Sequence, residues 1–79
     1  MEPLEHLGQN LRLSRKTQFP RDDMAAFALR VGISRATLQK MEKGDTSVSL
    51  KSYYQAAKLL NADQGFARLF KLKKSLFDE

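Results

Sequence analysis

The sequence predicts an all-α fold: one compact domain of five short helices and a short tail. Three observations lead there. Apolar residues recur three and four positions apart in successive stretches, the period of a helix with one buried face. Ser or Asp precedes most of those stretches and Gly follows two of them, the residues that start and stop helices. No run alternates apolar and polar residues as a strand would, apart from a weak pattern near Leu72 to Phe77.

The first helix is expected over about residues 4 to 16, with Leu4, Leu7 and Leu11 as its apolar stripe. A connection follows through Thr17, Gln18, Phe19, Pro20 and Arg21. Asp22 or Asp23 then caps a second helix, whose Met24, Phe27, Ala28 and Val31 stand at i, i+3, i+4 and i+7. Gly32 accepts a positive φ and lets the chain turn sharply. Ser34 is the N-cap of a third helix. Ile33 and Leu38 have the spacing of a hydrophobic staple around it. Leu38 and Met41 face the core, which leaves Arg35, Ala36, Gln39 and Lys40 outward, and Gly44 ends the helix. Ser49 caps a fourth helix carrying Leu50, Tyr53, Ala57 and Leu60, with Val48 and Tyr53 repeating the staple spacing. Asp63 starts a short fifth helix with Phe66, Leu69 and Phe70. Residues 1–70 are thus read as the folded domain and 71–79 as its tail.

The segment from Val31 to Gly44 has the layout of the turn and second helix of a helix-turn-helix DNA reader. The wider pattern resembles the XRE family, the lambda-repressor and Cro-like domains. Leu7-Gly8-Gln9-Asn10-Leu11-Arg12 is similar to the family's opening helix. Phe27-Ala28-Leu29-Arg30-Val31-Gly32-Ile33-Ser34 is similar to its central core motif. Met41-Glu42-Lys43-Gly44 is similar to the close of its recognition helix, and Ser49 through Leu60 to its fourth helix. The resemblance runs from about Leu7 to Phe70. Within the family, the words from Ile33 to Leu38, Glu42 to Asp45 and Ser47 to Leu50 look most like HipB-type antitoxins, which are encoded beside HipA-type kinase toxins. Many phage and plasmid repressors share those words.

The resemblance implies a repressor, autoregulating its operon, with a recognition helix of about residues 35–43 in the major groove of an operator. Arg35 would take guanine in a bidentate contact; its alternatives are a phosphate contact or a solvated cap position. Ala36 would meet a thymine methyl, or only keep the helix slim. Gln39 suits adenine, and Lys40 guanine or phosphate. Thr37 and Lys43 are assigned to the DNA backbone, as are Ser34, Thr46 and Ser47. The family usually has Gln at the start of the second helix as a phosphate donor. This chain has Asp23-Met24 there, which puts that contact in doubt. The preceding connection is about two residues longer than usual, so Arg21 is a candidate replacement. Arg15 and Glu42 occupy the places of a structural ion pair in similar chains; the alternative is two independent surface charges.

A short domain has a short footprint, so a homodimer reading two half-sites is expected. Phe66, Leu69, Phe70, Leu72, Leu76 and Phe77 form the candidate dimer or partner surface, although Phe66 and Phe70 would also serve to close the core. The rival function is that of an antitoxin restraining a HipA-type toxin, and the two roles are compatible.

Composition agrees with a polyanion partner. The chain has 79 residues and a net charge of +5. Four of its nine acids, Glu2, Glu5, Asp78 and Glu79, lie at the ends, which leaves five acids against fourteen bases, or +9, in the body. Small soluble domains often carry as much charge for no such reason. There is no cysteine, hence no disulfide or thiolate metal site. No membrane-spanning run or signal peptide is read, and a cytoplasmic, nucleoid-associated location is expected. No catalytic residue, cofactor or metal is expected. His6 lacks a partner in sequence, Asp22-Asp23 reads as a cap, and no phosphate-binding glycine loop is present.

Overall fold

The computed structural model describes residues 3–72. It contains five α-helices: α1 (Pro3–Gln18), α2 (Met24–Val31), α3 (Arg35–Glu42), α4 (Leu50–Leu59) and α5 (Gln64–Arg68). No strand occurs among the described residues. Leu76 and Phe77, assigned above to a partner surface, and the weak alternation beyond Leu72 lie outside the described residues.

Three helices begin with a side chain satisfying an orphan amide. Asp23 accepts from the Ala26 amide, Ser34 from Thr37 and Ser49 from Ser52. The choice between the adjacent aspartates is therefore resolved: Asp23 caps, while Asp22 pairs with Arg30. Helix α5 differs, because Asp63 makes no capping bond through its side chain.

Helices α2, α3 and α4 also share one form of ending. A residue at positive φ follows each: Gly32 at 90°, Gly44 at 77° and Asn61 at 59°. The next amide reaches back five residues, from Ile33 to the Ala28 carbonyl, from Asp45 to Lys40 and from Ala62 to Ala57. These are Schellman endings, which satisfy carbonyls that the helix leaves free.

The core forms where α2, α3 and α4 meet. Phe27, Ala28 and Val31 of α2 pack with Leu38 and Met41 of α3 and Ala56 of α4, and with Leu60 just beyond α4. Phe27, Leu38 and Met41 are the largest fully buried side chains. Truncating a side chain of this kind typically costs about 2–5 kcal/mol, so few such residues can hold a small domain.

Two assignments to the core change. Leu7 is 39% exposed, while Gly8 and Arg15 are buried on α1. The buried side of α1 is turned toward α3, where its backbone approaches closely. A Cβ at Gly8 would stand 2.5 Å from the Glu42 carbonyl oxygen, and one at Gly44 would stand 2.1 Å from that of Leu4. Leu4, Leu7 and Leu11 line an apolar groove of about 550 Å³, bordered elsewhere by Tyr53, Phe66 and Leu69 among others, and Leu11 also packs against the core. Leu50 is likewise 65% exposed. It sits at the first turn of α4, and Tyr53, Ala56 and Leu60 carry the inward contacts instead.

Candidate nucleic-acid interface

Helix α3 is fixed on three sides. Leu38 and Met41 anchor it in the core. Ser34 fixes its start by accepting from the Thr37 amide at 3.0 Å, and its hydroxyl also donates to the Thr37 hydroxyl. Its end is held by Arg15, whose Nε and Nη2 donate to the two carboxylate oxygens of Glu42 at 2.6 and 3.1 Å. The two side chains are only 6% and 9% exposed. The bond is therefore a two-point fork, which fixes the angle between α1 and α3 more firmly than one point charge would.

What remains of α3 is a free outward face. Arg35, Ala36, Gln39 and Lys40 are all exposed. At 100° per residue they fall within one arc of the helix, opposite Leu38 and Met41. Eight residues span about 12 Å, comparable with the width of a major groove. None of the four side chains is engaged in a hydrogen bond among the described residues.

The residues proposed for backbone contact are distributed around this face. Lys43 and Thr46 are exposed beyond its end, and Thr37 is half-buried beside its cap. Ser47 is also exposed, but its amide and hydroxyl both donate to Asp45, at 2.8 and 2.6 Å. These bonds, the hydroxyl's foremost, hold the Asp45 carboxyl below its usual range. They leave Thr46 as the hydroxyl of that turn without an internal partner. Tyr53 donates to the Asp45 carbonyl at 2.7 Å and ties the turn to α4. Burial, followed by the Asp45 charge, raises the Tyr53 phenol and keeps it a donor.

The connection between α1 and α2 is folded over α2. The Asp22 amide bonds the Phe19 carbonyl, Phe19 meets Phe27 edge to face, and the Arg30 guanidinium lies 4.8 Å from the Phe19 ring centre. Arg30 also pairs with Asp22. The extra length is thus packed, and Arg21 projects from it into solvent. Asp23 is exposed and spends its carboxylate on the cap; Met24 is half-buried against the core and has no donor to offer.

The candidate partner surface gathers on α5 and the residues that follow it. Phe66 stacks edge to face on Tyr54, while Leu69, Phe70 and Leu72 are 53%, 93% and 59% exposed. Phe70 stands at φ 68° in a tight turn closed by the Lys71 amide on the Arg68 carbonyl.

Sequence reasoning missed the Gly8–Gly44 approach and the Asn61 ending. Asn at a position one past a helix was an available signal for the second. Among the described residues no group of His, Cys, Asp and Glu is placed to hold a metal ion, and no helix is long and apolar enough to cross a membrane. A protein-family model described as helix-turn-helix matches residues 23–63, just over half of the chain. No curated protein and no solved structure matches it.

Proposed function

The chain belongs to the XRE-type helix-turn-helix family, a family of DNA-binding regulators, and we propose that it is a transcriptional repressor of its own operon. Repression comes from occupying an operator and excluding polymerase. The observation that carries this reading is the free face of α3. Arg35, Ala36, Gln39 and Lys40 are exposed and unbonded on a helix whose start, core side and end are all fixed. A rigid reading head with uncommitted donors suits direct readout of base edges. Arg35, Gln39 and Lys40 read bases and Ala36 meets a methyl. Ser34, Thr37, Lys43, Thr46 and Arg21 lie along the groove walls; Asp23, Met24 and Ser47 border them without a free donor, Asp23 as a cap, Met24 on the core and Ser47 bound to Asp45.

Arg35→Ala tests the reading. In gel-shift titrations it should cost about 1–3 kcal/mol on the operator and relax one base position. Equal losses on operator and scrambled duplex would reassign Arg35 to phosphate. No loss on either would remove α3 from the interface.

A protein partner is the second reading, favoured by the exposure of Phe70, Leu69 and Leu72 beside the apolar groove. A second copy of the chain satisfies it best, because a two-fold dimer reads two half-sites about 34 Å apart. A HipA-type toxin is the other partner consistent with this surface, in which case repression and toxin restraint combine. Sedimentation of the purified chain separates the two: a concentration-dependent dimer supports the first, and a monomer that binds a kinase-like product of the neighbouring reading frame supports the second. A cytoplasmic, nucleoid-associated location follows from the proposed role.

A further inference from the structure

A second cleft lies between the C-terminal half of α1 and the start of α2, about 530 Å³ in volume. Six charged side chains border it: Arg12, Arg15, Lys16, Asp22, Asp23 and Glu42. Their formal charges sum to zero, but their engagements differ. Glu42 is forked by Arg15, Asp22 is paired with Arg30, and Asp23 accepts from the Ala26 amide. Two of the three carboxylates are therefore ion-paired, and the third serves as the cap of α2. Arg12 and Lys16 are exposed and have no ion-pair partner among the described residues. Four residues apart on one helix, they project from the same face. The cleft thus presents two cations without ion-pair partners, while Glu42 and Asp22 are balanced by Arg15 and Arg30 and Asp23 keeps its charge at the start of α2.

The place of this pair relative to α3 is fixed. Arg15 lies between Arg12 and Lys16 in sequence, and its fork to Glu42 ties this stretch of α1 to the end of the recognition helix. Met24 at the α2 edge brings no donor, and Arg21 does not border the cleft. Cationic donors on this side therefore come from α1.

We propose that Arg12 and Lys16 form a phosphate clamp that grips the DNA backbone beside the groove entered by α3. The proposal rests on the DNA-reading function. The clamp sets register and adds affinity without reading sequence, because phosphates are the same at every base pair. It assigns to α1 a part of the interface that the motif residues of α2 and α3 do not supply.

The test compares full-length chains on a mixed-sequence duplex over about 50–200 mM salt. Arg12→Gln with Lys16→Gln should lower the slope of log K against log salt by about 1.8, two contacts at about 0.9 each. Near 0.1 M salt this is a fall in affinity of roughly 10- to 60-fold. Lys51→Gln with Lys58→Gln removes the same charge from exposed positions on α4 and should change the slope by less than half as much. Arg12→Lys with Lys16→Arg should retain wild-type binding. Circular dichroism verifies that each variant is folded, as expected for exposed side chains. Equal effects of the two glutamine pairs would reduce the clamp to overall charge and overturn it. An unchanged slope in the Arg12 and Lys16 pair would overturn it while the DNA reading stands. A wild-type chain that binds no duplex even at the lowest salt would remove the DNA reading itself, and the clamp with it.

Discussion

The α1–α3 seam and the α4–α5 end of this molecule are built on opposite plans. At the seam two backbones touch through Gly8 and Gly44, and a buried fork from Arg15 to Glu42 locks the angle between the helices. At the other end α5 buries no residue completely, lacks a side-chain cap, and is followed by Phe70 in an exposed, positive-φ turn. The seam has no tolerance, whereas the far end has surface to spare. The difference suits the two tasks proposed for them: a reading helix needs a fixed mount, and a partner surface needs apolar area that its own domain leaves uncovered.

The largest effect should come from Gly44→Ala. The added Cβ meets the Leu4 carbonyl at 2.1 Å, and alanine also resists a φ of 77°. We expect a loss of about 4 kcal/mol or more, enough to unfold much of the population of a small domain. A urea midpoint within error of wild type would show that the seam opens freely, and the contrast with α5 would disappear.

Arg15→Ala should come next, at about 3 kcal/mol, since it leaves the Glu42 carboxylate buried without its partner. Joining it as Arg15→Met with Glu42→Leu should recover most of that stability. The double variant should nevertheless bind DNA less well than wild type, because apolar packing does not reproduce the angle set by a fork. Recovery of both stability and affinity would mean that the pair contributes packing alone.

Phe70→Gly should have a smaller effect of opposite sign. Glycine relieves the positive φ, and a side chain 93% exposed has few contacts to lose. Thermal stability of the monomer should stay level or rise by up to about 1 kcal/mol. If the surface is a dimer contact, sedimentation should show weaker self-association in the same variant. A clear drop in monomer stability would place Phe70 in the core after all and blur the two plans.

The smallest effect concerns pH. Hydrogen bonds from Ser47 hold the Asp45 carboxyl below its usual value of about 3.9. The unfolded chain therefore binds the proton more readily. The turn after α3 contributes stability above the ordinary carboxylate pKa, and that contribution is lost as pH falls through the lowered one. Asp45→Asn should make the acid side of the thermal-midpoint profile slightly flatter, with little change near neutrality beyond the lost ionic acceptor. A steeper acid limb in the variant would reverse the sign and refute this account of the turn.

What the sequence made legible follows the same division. Caps and turns are written locally. Ser34, Ser49 and Asp23 start helices, Gly32 and Gly44 end them, and the spacing from Met24 to Val31 marks a buried face. The seam was less legible. Gly8 carries no hydropathy signal, so the stripe of Leu4, Leu7 and Leu11 drew attention from a helix side whose value is the absence of a side chain. That stripe does face apolar surroundings, but mainly in the groove, with Leu11 alone also packed against the core. Leu50 failed in a related way, because its periodicity fits the inward face of α4 while its place in the first turn leaves it in solvent. The candidate interface was legible as a list of outward residues on α3. The pairing of Asp22 with Arg30 and the freedom of Arg12 and Lys16 were not, since they depend on which charges the fold brings together.

The glycine contact has a consequence for how such a reader can change. Because the mount of α3 at Gly8 and Gly44 is made of main chain, none of its atoms belong to Arg35, Ala36, Gln39 or Lys40. The outward letters can be exchanged without disturbing the frame that presents them. Under the proposed function, duplicated copies of this chain are therefore free to drift toward new operators one side chain at a time, while Gly8 and Gly44 stay closed to every residue with a Cβ.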